Sequence, residues 1–408
     1  MSQELGASAP LAGLDPGHPR YAIDVVDRLL TAARNVGASD LHLDPTPDGL
    51  SVRWRLDGVL QDAATVPIAL APNVVSRIKV LADLLTYRND VPQEGRIRTE
   101  PGGPETRVST MPTLHGERAV VRLFAPGDRF RRIDDLGLPA AVASSLIDHL
   151  DATGGLVVLA GPAGSGKTTT LYACLRELAA RTRGRRSLVT LEDPIEVAVP
   201  GVSQSQVNPA GGFTLESGLR SLLRQDPEVI GVGEVRDRAV AEVAFQATLS
   251  GHLVLTTFHA GSAAGAIGRL ADMGIEPYVL ASGLRSIVFQ RLARRLCSCS
   301  REACPEDGPA GTLGLDVAQA RVAVGCPVCV GTGYKGRMLI AEAIHEPGRG
   351  ALGRAILDRR DIDALETAAR ADGLRSRWRH AREAVESGLT SAAEVRRILG
   401  TGPDPESR

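Results

Sequence analysis

The sequence predicts an α/β protein: a small α/β domain followed by a larger one built on a mostly parallel sheet. Three observations predict it. First, Gly161-Pro162-Ala163-Gly164-Ser165-Gly166-Lys167-Thr168-Thr169 fits the pattern G-x-x-x-x-G-K-[ST]. It lies between an apolar run of strand length, 156–160, and helix-forming residues at 170–180, the context that makes such a pattern a phosphate site. Second, apolar runs at 155–160, 187–191, 228–232 and 252–258 alternate with helical stretches near 166–181, 216–225 and 237–250. That is the pattern of parallel strands covered by crossover helices on both faces. Third, Leu50, Val52, Trp54 and Leu56 alternate with Ser51, Arg53 and Arg55 and run into Asp57-Gly58, a hairpin signal well upstream.

Taken in order, residues 1–19 carry Gly, Pro and Ser without periodicity and read as a flexible tail. The first domain spans 20–127. Ala22, Val26, Leu29, Ala33 and Val36 recur at helical spacing, and Gly37 ends that helix. After the hairpin, a helix over 73–85 puts Val74, Ile78, Leu81 and Leu85 on one face, and strands follow near 105–110 and 117–124. Residues 128–136 read as a charged linker. The second domain spans 137–408, with a cysteine-rich insert at 292–338 and C-terminal helices over 346–408.

The 408 residues suffice for two or three domains, and 43% hydrophobic with 23% charged residues is ordinary for a soluble globular chain. Aromatics make up only 3%, so the cores must be built from Leu, Val, Ile and Ala. A net charge of −1 gives no bulk attraction to nucleic acid or acidic lipid. No apolar run approaches the ~20 residues that span a bilayer, and the first residues lack the pattern of a signal peptide. Among the 47 basic residues only Lys79, Lys167 and Lys335 are lysines, which singles out the one in the phosphate loop. All of the cysteines but Cys174 fall between Cys297 and Cys329, a clustering that reads as metal binding rather than a disulfide framework.

The glycines of the loop let backbone N–H groups turn onto an anion, and the helix N-terminus adds its partial positive charge. Gly161, Gly164, Ser165, Gly166, Lys167, Thr168 and Thr169 form this cradle. Lys167 is placed to neutralise the β- and γ-phosphates of ATP, and the Thr168 hydroxyl to ligate Mg²⁺. Ligands of such sheets sit beyond the carboxyl ends of the strands. There the sequence carries Glu192-Asp193, Glu234 and His259. Glu234 serves the Mg²⁺ through water or polarises the attacking water; Glu192 and Asp193 are the other candidates for aligning it, or cap a turn. His259 is a candidate to hydrogen-bond the γ-phosphate and report its loss.

This combination resembles the ATPases of type II secretion and type IV pilus assembly. Four boxes match in order: the phosphate loop; Leu191-Glu192-Asp193-Pro194-Ile195-Glu196; Leu223-Arg224-Gln225-Asp226-Pro227 through Gly233-Glu234-Val235-Arg236-Asp237; and Thr248 with Gly251-His252-Leu253-Val254-Leu255-Thr256-Thr257-Phe258-His259. The small domain matches in Gly37-Ala38-Ser39-Asp40-Leu41-His42-Leu43, Arg55-Leu56-Asp57-Gly58, Pro92-Gln93-Glu94-Gly95-Arg96 and Arg107-Val108-Ser109-Thr110. The resemblance implies a RecA-like P-loop ATPase domain and a homohexamer. It implies a cytoplasmic motor, peripheral at the cytoplasmic face of the inner membrane, that drives a platform protein to polymerise pilin-like subunits. It also implies that Arg96 and Arg107 reach the nucleotide from the small domain and Arg220 and Arg224 from the large one.

Cys297-Ser298-Cys299, Cys304 and Cys326-Pro327-Val328-Cys329 stand where assembly and secretion members carry a Zn²⁺-binding insert that retraction motors lack. The family has C-x-x-C in the first half, whereas Ser300 stands three residues after Cys297. Either Cys299 or Cys304 must therefore complete the set with Cys297, Cys326 and Cys329. Full-length secretion members also have an extra N-terminal domain, where this chain has about twenty residues before its first helix. Two rival functions are a ring-shaped nucleic-acid translocase, which few aromatics and near-zero charge disfavour, and a non-catalytic nucleotide-binding regulator, which intact Lys167, Glu192 and Glu234 disfavour.

Overall fold

Period-two alternation builds the first of the two units into which the chain divides, Met1–Gly127 and Asp128–Arg408. The computed structural model describes residues 9–97, 106–123, 132–304 and 320–400. In the first unit α1 (Tyr21–Asn35) is followed by β1 (Asp40–Thr46), β2 (Gly49–Leu56), β3 (Val59–Pro67), α2 (Ala71–Leu81), β4 (Gln93–Ile97), β5 (Thr106–Thr113) and β6 (Gly116–Leu123). The strands form an antiparallel sheet in the order β3-β2-β1-β6-β5-β4. Leu41, Leu43, Val52, Trp54 and Val121 point to one face and share a core with Val26 and Leu29 of α1 and Val74 and Ile78 of α2. Arg53 and Arg55 of β2 and Arg122 of β6 alternate with these and point the other way, toward a charged face.

Two features differ from the sequence reading. The helix read over 73–85 stops at Leu81, because Asp83 turns to φ 57 and the Leu84 N–H returns to the Lys79 carbonyl at 2.9 Å. Lys79 on this helix is fully buried, held by Glu117 at 2.9 Å and the Arg88 carbonyl at 2.8 Å. In the segment read as a tail, Leu11 is buried against the core of this unit, and residues 1–8 lie outside those described.

The second unit runs α3 (Ala140–Leu150), β7 (Gly155–Ala160), α4 (Lys167–Thr182), β8 (Leu188–Glu192), β9 (Ser203–Gln206), α5 (Leu215–Leu222), β10 (Val229–Val232), α6 (Arg238–Leu249), β11 (Leu253–Phe258), α7 (Ala263–Asp272), α8 (Pro277–Gly283) and β12 (Leu284–Leu296). A small pair, β13 (Arg301–Glu302) and β14 (Arg321–Val322), precedes β15 (Tyr334–His345), and α9 (Gly350–Leu357), α10 (Ile362–Ala371), α11 (Arg377–Glu386) and α12 (Ala392–Leu399) close it. The main sheet has the order β15-β12-β7-β11-β10-β8-β9. Every pairing in it is parallel except β12 with β15.

Both faces of this sheet are covered, and β7 shows how. Leu156, Val158 and Ala160 enter one core with Val240 of α6 and Ile267 of α7, while Val157 and Leu159 enter the other with Leu146 of α3 and Leu171 and Leu175 of α4. An all-apolar run is what a strand buried on both sides requires. Within the segment read as a linker, residues 128–131 lie outside those described, but Ile133 and Leu136 form a short 3-10 turn and are buried in the core beneath α4. The cysteine-rich insert is shorter than read: residues up to Leu296 belong to β12 and those from Tyr334 to β15, and these two residues face each other across the ladder. No helix among the described residues is long and apolar enough to cross a membrane.

Candidate functional site

Parallel pairing decides which strand ends meet. β7 delivers the phosphate loop, and β11 lies beside it, so the Gly161 N–H bonds the Phe258 carbonyl at 3.1 Å and His259 follows immediately. β10 is next, and its exit is tied back to β11 by Val235 N–H to the Thr257 carbonyl at 3.1 Å and by the Thr257 hydroxyl to the Gly233 carbonyl at 2.7 Å. Glu234 is thereby held beside His259, with Oε1 2.7 Å from the His259 Nε2. Its other oxygen accepts from Arg236 Nε at 2.6 Å, and Arg236 also lies 3.6 Å from Asp193. Arg269 of α7 donates to the His259 carbonyl at 2.7 Å and so fixes the loop that carries the imidazole. Pro162, His259, Ser262 and Arg269 line an open depression of about 510 Å³ between the phosphate loop and α7.

The loop itself has the backbone that its glycines permit: Gly161, Gly164 and Gly166 all take positive φ, at 151, 73 and 88°. Lys167 is buried, and its Nζ donates to the Gly161 and Pro162 carbonyls at 2.9 and 3.0 Å. Burial lowers its pKa from the ordinary lysine value, and the nearby Glu234 carboxylate pulls it back up. The same cluster acts on His259, which burial and then Lys167 push down while Glu234 pushes it up. Ser165 Oγ, in a residue 3% exposed, has no partner among the described residues. A positive lysine, an orphaned hydroxyl and left-handed glycines at a helix N-terminus fit a polyphosphate. Thr168 and Thr169 occupy the first turn of α4.

Glu192 is not part of this cluster. It ends β8, on the far side of β10, and is 3% exposed. Tyr172 Oη of α4 donates to Oε2 at 2.5 Å, and Thr190 Oγ1 and Gln204 Nε2 donate to Oε1 at 2.6 and 2.9 Å. The Tyr172 oxygen also accepts from the Glu196 N–H at 2.9 Å, so this network ties the turn after β8 to the helix of the phosphate loop. Burial and then Glu192 push the Tyr172 pKa well above its ordinary value, a direction that keeps the phenol a donor. Arg220 and Arg224 lie on and just after α5, both exposed. Arg220 is paired with Glu216 at 3.1 Å, and Arg224 donates to the Ser221 hydroxyl at 3.3 Å.

In the first unit, Arg96 and Arg107 are direct cross-strand neighbours on β4 and β5. The register continues through Arg122 of β6 and Asp40 of β1 to Arg55 of β2, which places four arginines and one aspartate on a single rung of the charged face. Asp40 lies 3.1 Å from Arg122 and 3.4 Å from Arg55. Like charges directly opposite one another destabilise a sheet, so such a rung is suited to an anion. Arg122 escaped the sequence reading; its signal was the alternation of Arg118, Val120 and Arg122 with buried Ala119, Val121 and Leu123, combined with the hairpin register. Tyr172, Thr190 and Gln204 also escaped it, since no spacing links them to Glu192.

The sulfurs of Cys297, Cys299, Cys326 and Cys329 lie within 4.8 Å of one another; Cys304 is outside this group. Three of the contacts, Cys297–Cys326, Cys299–Cys329 and Cys326–Cys329, are 3.9, 3.9 and 3.8 Å. Four thiolates at the usual Zn–S distance about a tetrahedral ion stand about 3.8 Å apart, and these three separations match that spacing. Burial opposes ionisation of Cys329, but N–H groups of Cys326 and Gly333 at 3.1 and 3.2 Å, together with the Cys326 and Cys299 thiols, outweigh it and bring the thiol down to about 7. Of the two candidates for the fourth position, Cys299 is the one whose sulfur stands with the other three.

A family model described as "Type II/IV secretion system protein" matches residues 19–397. Similar proteins include the Type II secretion system protein HxcR of Pseudomonas aeruginosa, 42% identical over 94% of this chain and 79% of that one. The Type II secretion system ATPase E of Vibrio cholerae is 39% identical over 98% of this chain and 79% of its own length. Among solved structures, the Legionella pneumophila ATPase DotB superposes with a TM-score of 0.68 over 95% of this chain and 99% of that one; at 20% identity the likeness is one of fold.

Proposed function

We infer the function of this chain from its family: it belongs to the Type II/IV secretion system proteins, and it is a secretion-type ATPase. The observation that carries ATP hydrolysis at this site is the meeting of Lys167, Glu234 and His259 at the ends of neighbouring strands. Lys167 exchanges its two carbonyl partners for oxygens of the β- and γ-phosphates. Glu234, oriented by His259 and Arg236, aligns the attacking water and accepts its proton. His259 shares hydrogen bonding between Glu234 and the γ-phosphate, so loss of that phosphate is felt at the start of α7. Thr168 would hold Mg²⁺, which would supply positive charge against the ADP leaving group.

Arg96 and Arg107 bring further positive charge from the first unit, and Arg122 on the same rung joins them. The local partners of Arg220 and Arg224 favour a surface role for those two. Glu192 serves by holding the turn after β8 against α4. Cys297, Cys299, Cys326 and Cys329 hold a structural Zn²⁺. The chain works as a homohexamer at the cytoplasmic face of the inner membrane, against a polytopic platform protein, in pseudopilin assembly for secretion or in pilus assembly. The insert favours those two over retraction.

Two experiments test this reading. Purified protein should turn over ATP·Mg²⁺, and Lys167→Ala should not. Deletion of the gene in its own host should stop export or piliation, with wild type restoring it and Lys167→Ala failing to. Full turnover in Lys167→Ala removes the assignment of this loop.

A further inference from the structure

One fully buried polar side chain of the second unit belongs neither to the carboxylate network nor to the cluster at Glu234. Gln290 lies on β12 and is 0% exposed. Its Nε2 donates to the Ser165 carbonyl at 2.8 Å, and its Oε1 accepts from the Thr170 hydroxyl at 3.0 Å. A single amide therefore joins the phosphate loop to the first turn of α4. The loop backbone is seated on the same residue: a methyl group on Gly161 would stand 2.4 Å from the Gln290 carbonyl oxygen, and one on Gly166 would stand 3.2 Å from Nε2.

We propose that Gln290 is a positioning residue for the phosphate loop, fixing the Ser165–Gly166 peptide so that the Gly166 N–H faces the bound phosphate. The proposal rests on the ATPase reading and deepens it. A trans peptide is planar, and its C=O and N–H point in opposite directions. Anchoring the Ser165 carbonyl to β12 therefore turns the Gly166 N–H away from β12. Nothing local does this, because Gly166, at φ 88°, is the residue type most free to let its peptide flip. Glutamine suits the place because its amide supplies a donor for the carbonyl and an acceptor for the threonine at once; an ionised glutamate supplies only acceptors and a leucine neither.

The test measures the affinity of the full chain for a fluorescent ATP analogue in wild type, Gln290→Leu, Gln290→Glu and Thr170→Val, at temperatures where circular dichroism shows each folded. Gln290→Leu should lose tenfold or more in affinity, and Thr170→Val, which frees one end of the amide, several-fold. Gln290→Glu gives a readout that packing alone does not move. Protonated, it donates to the Ser165 carbonyl again, so its affinity relative to wild type at the same pH should recover on acidification. Affinities within twofold of wild type in folded Gln290→Glu at every pH, or in folded Gln290→Leu, overturn the proposal. If Gln290→Leu does not fold, the pH profile of Gln290→Glu and the loss in Thr170→Val decide. Wild type that binds no ATP analogue sinks the ATPase reading instead, which keeps the two failures apart.

Discussion

Glu192 and Glu234 end strands of one sheet, and what surrounds each assigns its work. Glu234 faces His259 and Arg236 beside Lys167, while three donors consume Glu192 in a buried pocket. Glu234→Gln should keep ATP affinity within a few-fold and lower the hydrolytic rate by about 10²–10⁴, the usual contribution of a positioned general base. Glu192→Gln should instead lose stability, about 1–3 kcal/mol for buried donors left mismatched, with the smaller loss in rate. Steady-state turnover, analogue binding and thermal melts on both variants check this; a larger rate defect in Glu192→Gln reverses the two roles. Both carboxylates were legible in the sequence as strand-end acids. Their roles were not, because they depend on strand order: β10 beside β11 brings Glu234 to His259, and no local pattern encodes that β8 lies outside.

At the scale of elements, the runs that are apolar throughout, such as β7 and β11, were legible because burial on both faces leaves no room for polar residues. β12 and β15 were not. β12 carries Ser286, Gln290 and four arginines, and its place in the sheet comes from pairing with segments more than a hundred residues away or across the insert. The cysteines between these strands should hold about one zinc per chain, measured by elemental analysis after chelator-free purification. Cys329→Ser should lose the metal and lower the melting temperature, since a structural site contributes folding free energy; Cys304→Ser should keep it. Metal loss in Cys304→Ser with retention in Cys299→Ser reverses the ligand choice. Where α3 meets β12 and β15, His345 Nδ1 lies 2.9 and 3.2 Å from the hydroxyls of Ser145 and Ser286, with the His149 ring 5.4 Å away. Although His345 has an exposed edge, crowding by its neighbours and then His149 push its pKa from 6.5 down to about 4. The unfolded chain takes up this proton first, so acid favours unfolding: stability should fall as pH drops below about 6.5 and stop falling on this account near 4. His345→Gln should flatten that part of the melting curve against pH; an unchanged slope removes His345 as its source.

The whole molecule divides after Gly127, and how the functions of its two units combine is the matter for experiment. Arg96 and Arg107 stand opposite each other on an arginine-rich rung, while the phosphate loop belongs to the other unit. Arg96→Ala and Lys167→Ala should each be inactive alone, the first by roughly 10³-fold if it acts as an arginine finger. Mixed in one ring, they should regain partial turnover if Arg96 serves a neighbouring subunit; mixed rings without rescue confine it to its own chain. The shape of the insert bears on a different matter, the history of such chains. It leaves the sheet at Leu296 and returns at Tyr334, residues already opposed across β12 and β15. A segment closed at its base by an existing hairpin can lengthen, shorten or vanish while the strands that carry Gln290 stay in register, because each doubling of its length costs only about 0.6 kcal/mol in closure entropy. Descent can thus lengthen or trim the metal-binding segment while the paired strands at its base stay as they are.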